Sequence, residues 1–201
     1  MENKSSASSK IRKLVGTAML GAVATILMYL EFPIPIMPAF IKMDISELPA
    51  LIAGFAYGPV SGVAVCLIKN LIKLPSTTTA AVGELFNFVM GALFVGAAAL
   101  VYKKIKSRRG AAIGSVLGAA VMAIVSVPYN YFIVYPAYVV FYGMPLDAIV
   151  GMYQAINPGV DGLLACLLTF NLPFTFFKGL VDALLCFLVY KPLSPILHGR
   201  K

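Results

Sequence analysis

The chain has 201 residues, 60% of them hydrophobic and 12% charged, with a formal net charge of +8. An average soluble domain carries roughly 25% charged residues, so this composition excludes an ordinary soluble fold and indicates an integral membrane protein. The positive excess gathers at the ends of apolar runs, which describes a membrane-facing skirt and gives no reason to expect a nucleic-acid partner.

The chain opens with "MENKSSASSKIRK", a basic tail over residues 1–12. The apolar run behind it continues past the cleavage-like "AVA" to Leu30, which argues against a cleaved signal peptide. A first span is expected over residues 13–31. On it Ala18 and Ala22 share a face with Gly21 beside them, a small-residue spacing that lets helix backbones approach closely. That face suits either a partner subunit or packing inside the bundle.

The next stretch, "PAFIKMDISELPALIAGFAYGP", sets Lys42, Asp44 and Glu47 between apolar runs. Asp44 or Ser46 is expected to cap the helix that follows, whose positive end favours carboxylates. Spans 2 and 3 are expected over 45–57 and 60–74. At roughly 1.5 Å per residue they reach only about 20 to 22 Å. They therefore read as two short crossings or as a re-entrant hairpin turning at "YGP".

Span 4, over 82–102, carries Glu84 and Asn87 on one face. Span 5, over 111–133, ends near Asn130. Residues 134–172 are expected to form a structured outer loop, interrupted at "GMP", "NPG" and "NLP", with an amphipathic helix over 146–156. Span 6, over 173–190, contains Thr175, Lys178 and Asp182. Lys178 stands four residues before Asp182, so an ion pair within the helix accounts for both.

Of the 16 basic residues, 12 fall in three clusters: Lys4, Lys10, Arg12 and Lys13; Lys103, Lys104, Lys106, Arg108 and Arg109; and Lys191, Arg200 and Lys201. The bias of such residues toward the cytoplasm gives an all-α bundle of six transmembrane helices with both termini cytoplasmic. The whole chain, 1–201, reads as a single membrane-embedded domain. No internal repeat is visible, and many secondary carriers move two repeated halves around a central site. The Walker A pattern GxxxxGK[ST] is also absent, so the chain reads as a subunit. Cys66, Cys166 and Cys186 lack metal-type spacing and read as packing residues. The one histidine, His198, lies in the polar tail. No metal and no resident cofactor is expected.

Ionisable groups within spans are site candidates because their burial is costly unless answered. Asn87, Asn130, Thr175 and Lys178 come from three spans and fall in one half of the membrane, which predicts a pocket facing outward. Twelve of the 23 Phe and Tyr residues lie between Tyr129 and Phe177. That density suits a flat, ring-shaped ligand.

The stretches "FIKMDISELPALIAGFAYGPVSGVAVCLIKNLIKL", "TTTAAVGELFNFVMGALFV" and "NLPFTFFKG" closely resemble the substrate-binding S components of energy-coupling factor (ECF) vitamin transporters, specifically the riboflavin-specific ones. The resemblance runs from about residue 10 to 192. It implies six helices, a vitamin site near the outer face, no catalysis by this chain, and transport only with a transmembrane coupling subunit and two cytoplasmic ATPases that use ATP. It places Ala18 and Ala22, with Gly21, at the contact with the coupling subunit. It places Asn130, Thr175 and Lys178 against riboflavin, Thr175 standing where many relatives carry Asn, and it makes a lid of Met37, Phe40, Lys42 and Asp44. With Glu84, Asn87 and Asn171 these form the expected ligand set. Other readings are an S component for thiamine or a flavin precursor, a proton-coupled carrier, and a membrane-embedded enzyme using Glu84, Lys178 and Asp182.

Overall fold

The computed structural model describes the backbone of residues 2–198 and the side chains of residues 9–141 and 143–190; the side chains of Lys4, Lys191, His198, Arg200 and Lys201 fall outside these. Helix α1 runs from Glu2 to Tyr29, so the basic tail forms its opening turns. A minimal antiparallel hairpin follows, β1 (Phe32–Pro33) with β2 (Lys42–Met43), pairing Phe32 with Met43 and Pro33 with Lys42. Helices α2 (Glu47–Tyr57) and α3 (Pro59–Lys73) turn on Gly58, whose φ of 100° side chains disfavour. Pro59 then opens α3, where its missing N–H is no loss. The chain continues through α4 (Val82–Lys104), α5 (Arg108–Tyr129), α6 (Tyr135–Tyr142), α7 (Leu146–Gln154), α8 (Gly162–Cys166) and α9 (Leu172–His198).

Among the described residues, four helical stretches are long and apolar enough to cross a membrane: Ser9–Tyr29, Val82–Lys104, Arg108–Phe141 and Gly162–Tyr190. The 11 residues of α2 and 15 of α3 make rods of about 16 and 22 Å, shorter than a hydrocarbon core of about 30 Å. Beside the four long stretches, α2 and α3 form one short helical hairpin, as the lengths of spans 2 and 3 led one to expect.

The expected loop over 134–172 is corrected at both ends. Helix continues from α5 through a π-turn, Asn130–Val134, into α6, and from α8 through a second π-turn, Leu167–Asn171, into α9. Each π-turn is followed two residues later by a proline, Pro136 and Pro173. A proline inside a helix lacks its N–H, and its ring collides with the carbonyl four residues back. Those carbonyls belong to Phe132 and Thr169, inside the two π-turns, where the wider ladder makes room. "NLP" thus widens the helix without ending it. The loop narrows to 143–161 around α7, which buries Ile149 and Tyr153 as an amphipathic helix should.

Packing is closest between α4 and α5. A Cβ on Gly118 would lie 2.4 Å from the Phe94 carbonyl oxygen, and one on Gly114 2.6 Å from that of Ala98. These glycines, four apart, bring the two backbones together. On α1, by contrast, Ala18 and Ala22 are exposed beside Val15, Met19, Val23 and Ile26. Gly21 is corrected: it is buried, and a Cβ there would meet Ile68 of α3 at 2.8 Å. It seats α1 inside the bundle and does not belong to the exposed face, because it sits one residue round the helix from Ala22.

The bundle has two distinct ends. Phe55 meets Tyr102 and Tyr190 where α2 and α4 finish, the end that also holds the basic α4–α5 connection. At the other end α1 finishes, α4 begins and the β-hairpin folds over.

Candidate ligand-binding site

The four basic residues outside the three clusters are Lys42, Lys69, Lys73 and Lys178, and every one of them meets a carboxylate at the hairpin end. Lys42 and Lys73 both bind Glu31, at 2.9 and 2.8 Å. Lys69 is fully buried and bonded to Glu47 and to the Ser46 hydroxyl. Lys178 lies 2.6 Å from Asp44. A charge inside an apolar bundle persists when paired and hydrogen-bonded, and these pairs tie the hairpin to α1, α3 and α9.

The expected Lys178–Asp182 pair is therefore corrected. The hairpin carries Asp44 over the start of α9, and Lys178 bonds to it. Asp182 is fully buried, and neither carboxylate oxygen has a hydrogen-bond partner among the described residues. Capping is also rearranged: Ser46 makes no side-chain cap bond. Its backbone N–H and its hydroxyl both donate to Asp44 Oδ1. Burial by itself pushes the Asp44 carboxyl up, but the ammoniums of Lys178 and Lys69 and the bonds from Lys178 and Ser46 hold it well below the usual carboxylate range. For Glu31 the same contest between burial and the bonds from Lys73 and Lys42 also ends lower.

Between these pairs lies a cavity of about 210 Å³. Its wall includes Phe40, Lys42, Asp44, Glu84, Asn87, Asn130, Asn171, Thr175 and Lys178, so nine of the ten expected ligand residues surround one space. Met37 does not line it and is buried within the loop. The wall also includes Met28, Met90, Met122, Phe86, Tyr135, Tyr138 and Phe174.

The polar groups differ in what they leave for a ligand. Asn130, at the start of the first π-turn, donates one amide hydrogen to the Ser126 carbonyl at 2.8 Å, keeping its other hydrogen and its oxygen. Asn171, at the end of the second, is engaged on both sides. Its oxygen accepts from Tyr153 at 2.7 Å and its nitrogen faces the Tyr135 hydroxyl at 3.4 Å, while the two tyrosines bond to each other. Burial foremost pushes the Tyr153 hydroxyl above its ordinary range. Glu84 accepts from Thr77 and Thr79 at 2.8 and 3.0 Å. The loop before α4 is shaped for this, with Ala80 and Ala81 held at φ of 46° and 68°, a conformation costing on the order of 1 kcal/mol or more per residue.

Phe40 seats the hairpin loop. Its ring meets Tyr135, Tyr138 and Tyr153 edge-on at centroid distances of 6.3, 6.5 and 6.2 Å. Such contacts add about 0.5–1.5 kcal/mol each beyond area burial. The cavity they close is smaller than the roughly 300–1,000 Å³ of pockets that enclose drug-sized ligands, so the loop lies down on a reduced space.

Sequence reasoning passed over Glu31, Lys69, Lys73, Tyr135, Tyr138 and Tyr153. Lys69 and Lys73 had a signal: two lysines four apart in "CLIKNLIK", one helical face of an otherwise apolar segment. The tyrosines had none, being masked by an aromatic-rich stretch.

The site can be set beside known proteins. A family model described as the substrate-specific component of ECF transporters matches residues 12–190. The riboflavin transporter FmnP of Bacillus subtilis (strain 168) is 35% identical over 195 residues, covering 96% of this chain and 97% of that protein. The riboflavin transporter RibU of Staphylococcus aureus (strain TCH60) is 32% identical over 186 residues, covering 92% of each. A solved structure of the S component of a bacterial ECF transporter superposes with a TM-score of 0.72 at 31% identity, over 94% of this chain and 98% of that one. With a family match across nearly its whole length and the same fold around the cavity, this multi-pass membrane protein belongs to the substrate-specific components of ECF transporters.

Proposed function

We propose that this chain captures riboflavin outside the cell and delivers it inward as the binding subunit of an ATP-driven assembly. Its partners are a transmembrane coupling subunit and two cytoplasmic ATPases, which consume the ATP; this chain carries no catalysis and no resident cofactor. The observation that carries the reading is a cavity in which amide, hydroxyl and ammonium groups from α4, α9 and the π-turn after α5 meet aromatic and methionine side chains under the hairpin loop. The relatives' names support the choice of vitamin.

In this reading the basic clusters and both termini face the cytoplasm, and the hairpin end opens outward. Phe40 and its loop lift, the flavin ring enters among Phe86, Tyr138, Phe174 and the methionines, and Asn130, Thr175 and Lys178 contact its polar edge. Thr175 offers one donor and acceptor where an amide would offer more. Closure of the Phe40–Asp44 segment then excludes water. Ala18 and Ala22 on the open face of α1 meet the coupling subunit.

Equilibrium titration of detergent-purified protein, read by quenching of riboflavin fluorescence, tests the proposal. Saturable binding is expected, without competition from thiamine and weakened about 10–100-fold by Lys178→Ala or Asn130→Ala, the loss of one charged or amide hydrogen bond. Purified protein that neither retains nor binds riboflavin overturns it.

A further inference from the structure

Asn70 sits on α3 behind the cavity wall, 4% exposed, and does not line the space. Its Nδ2 lies 2.8 Å from the Cys66 carbonyl oxygen and 3.3 Å from Asn87 Oδ1. Asn87, on α4, does line the cavity. A backbone carbonyl only accepts, so the Cys66 contact fixes which atom of the Asn70 amide is the nitrogen. That nitrogen carries two hydrogens, and the atom of Asn87 that faces it must in turn accept. Turning Asn87 over would set nitrogen against nitrogen, two donors with no acceptor between them. The arrangement leaves Asn70 Oδ1 buried without a partner among the described residues. Reversing Asn70 to relieve that would press the same oxygen against the Cys66 carbonyl.

We infer that Asn70 is a positioning residue that holds Asn87 with its NH2 group toward the cavity, so that this wall receives a carbonyl oxygen or imine nitrogen and rejects an N–H edge. The ligand's identity rests on the riboflavin reading above; the orientation of the two amides does not. A flavin ring offers both kinds of acceptor, and an amide held in advance loses less freedom on binding than one that must turn. Because Asn70 touches no ligand, its influence passes through Asn87 alone.

The test is a double-mutant cycle on riboflavin affinity. Asn70→Leu is expected to weaken binding about tenfold, the worth of one neutral hydrogen bond, and to have no further effect in an Asn87→Ala background. Asn87→Asp keeps the bond from Asn70 and turns a carboxylate oxygen to the cavity. It is expected to bind more weakly than Asn87→Ala, about 100-fold below the parent protein. If Asn70→Leu does not fold, Asn70→Ala takes its place. A residue that merely packs would lower thermal stability and act equally in both backgrounds, and such additivity overturns the inference. So does an Asn87→Asp variant that binds as well as Asn87→Ala. Should the parent protein bind no flavin, the vitamin assignment fails and the amides are read directly. The side-chain 15N resonance of Asn87 in ligand-free protein is expected to shift in Asn70→Leu, and an unchanged resonance overturns the positioning role.

Discussion

Lys178 Nζ and Asp44 Oδ2 lie 2.6 Å apart although 134 residues separate them in the chain. The bond fastens the hairpin loop to the first turns of α9 in the cavity wall. Removing one partner strands the other in a largely dry setting, which costs about 3–5 kcal/mol for a buried pair. Lys178→Met is therefore expected to lower the midpoint of thermal unfolding clearly. Lys178→Met with Asp44→Leu should recover much of that stability but none of the riboflavin affinity. Differential scanning fluorimetry and binding titration separate the two effects.

The same carboxylate sets a pH dependence. The Asp44 carboxyl is held well below its ordinary value, so its contribution is complete above the unfolded carboxylate pKa near 3.9 and is lost as pH falls through its lower folded value. Riboflavin affinity is expected to stay level between about pH 8 and 5 and to fall only in stronger acid. Binding titrations in buffers across that range check it; a loss centred near pH 6 would assign the latch to another group.

Phe40 seats the loop on three tyrosine rings. Phe40→Ala removes those contacts, worth about 1.5–4.5 kcal/mol in sum, from the closed state alone. Riboflavin release, followed by stopped-flow fluorescence, is expected to quicken about 10-fold or more, with a smaller change in the association rate.

Small residues on α5 and α1 should respond oppositely to the same enlargement. Gly118→Val pushes a side chain into the Phe94 carbonyl at the tightest point between α4 and α5, and little monodisperse protein is expected. Ala18→Val points into open space on α1. Unfolding midpoint and riboflavin affinity should stay as they are, while co-purification with the coupling subunit declines.

Buried carboxyls in the same cluster are also expected to differ. Glu47 is bonded to buried Lys69, whereas Asp182 has no hydrogen-bond partner among the described residues. Glu47→Gln should destabilise by about 3 kcal/mol or more by leaving Lys69 uncompensated. Asp182→Asn should leave the unfolding midpoint unchanged or raise it. Thermal unfolding of the two variants side by side makes the comparison.

Much of the fold was legible because apolar length and turn residues are local properties of the chain. The long spans, the turn at Gly58 and the amphipathic α7 followed from them. "NLP" misled because a breaker and a widened helix look the same in sequence: Pro173 stands just after a π-turn that carries the helix on into α9. Within the site, Asn87, Asn130, Thr175 and Lys178 stood out because polar groups in apolar helices demand an explanation.

Partner choice was not legible. Lys178 had an acid four residues away on its own helix, yet the hairpin brought Asp44 to it from the far end of the chain. Gly21 and Ala22 differ by one position in sequence, and that step turns one toward α3 and the other outward. Residue type and spacing alone determined that this chain crosses a membrane and carries polar groups within it. Which of those groups meet each other, and which remain open to a ligand, was decided by tertiary packing, because pairing energy depends on distance in space and the chain fixes that distance only once it has folded.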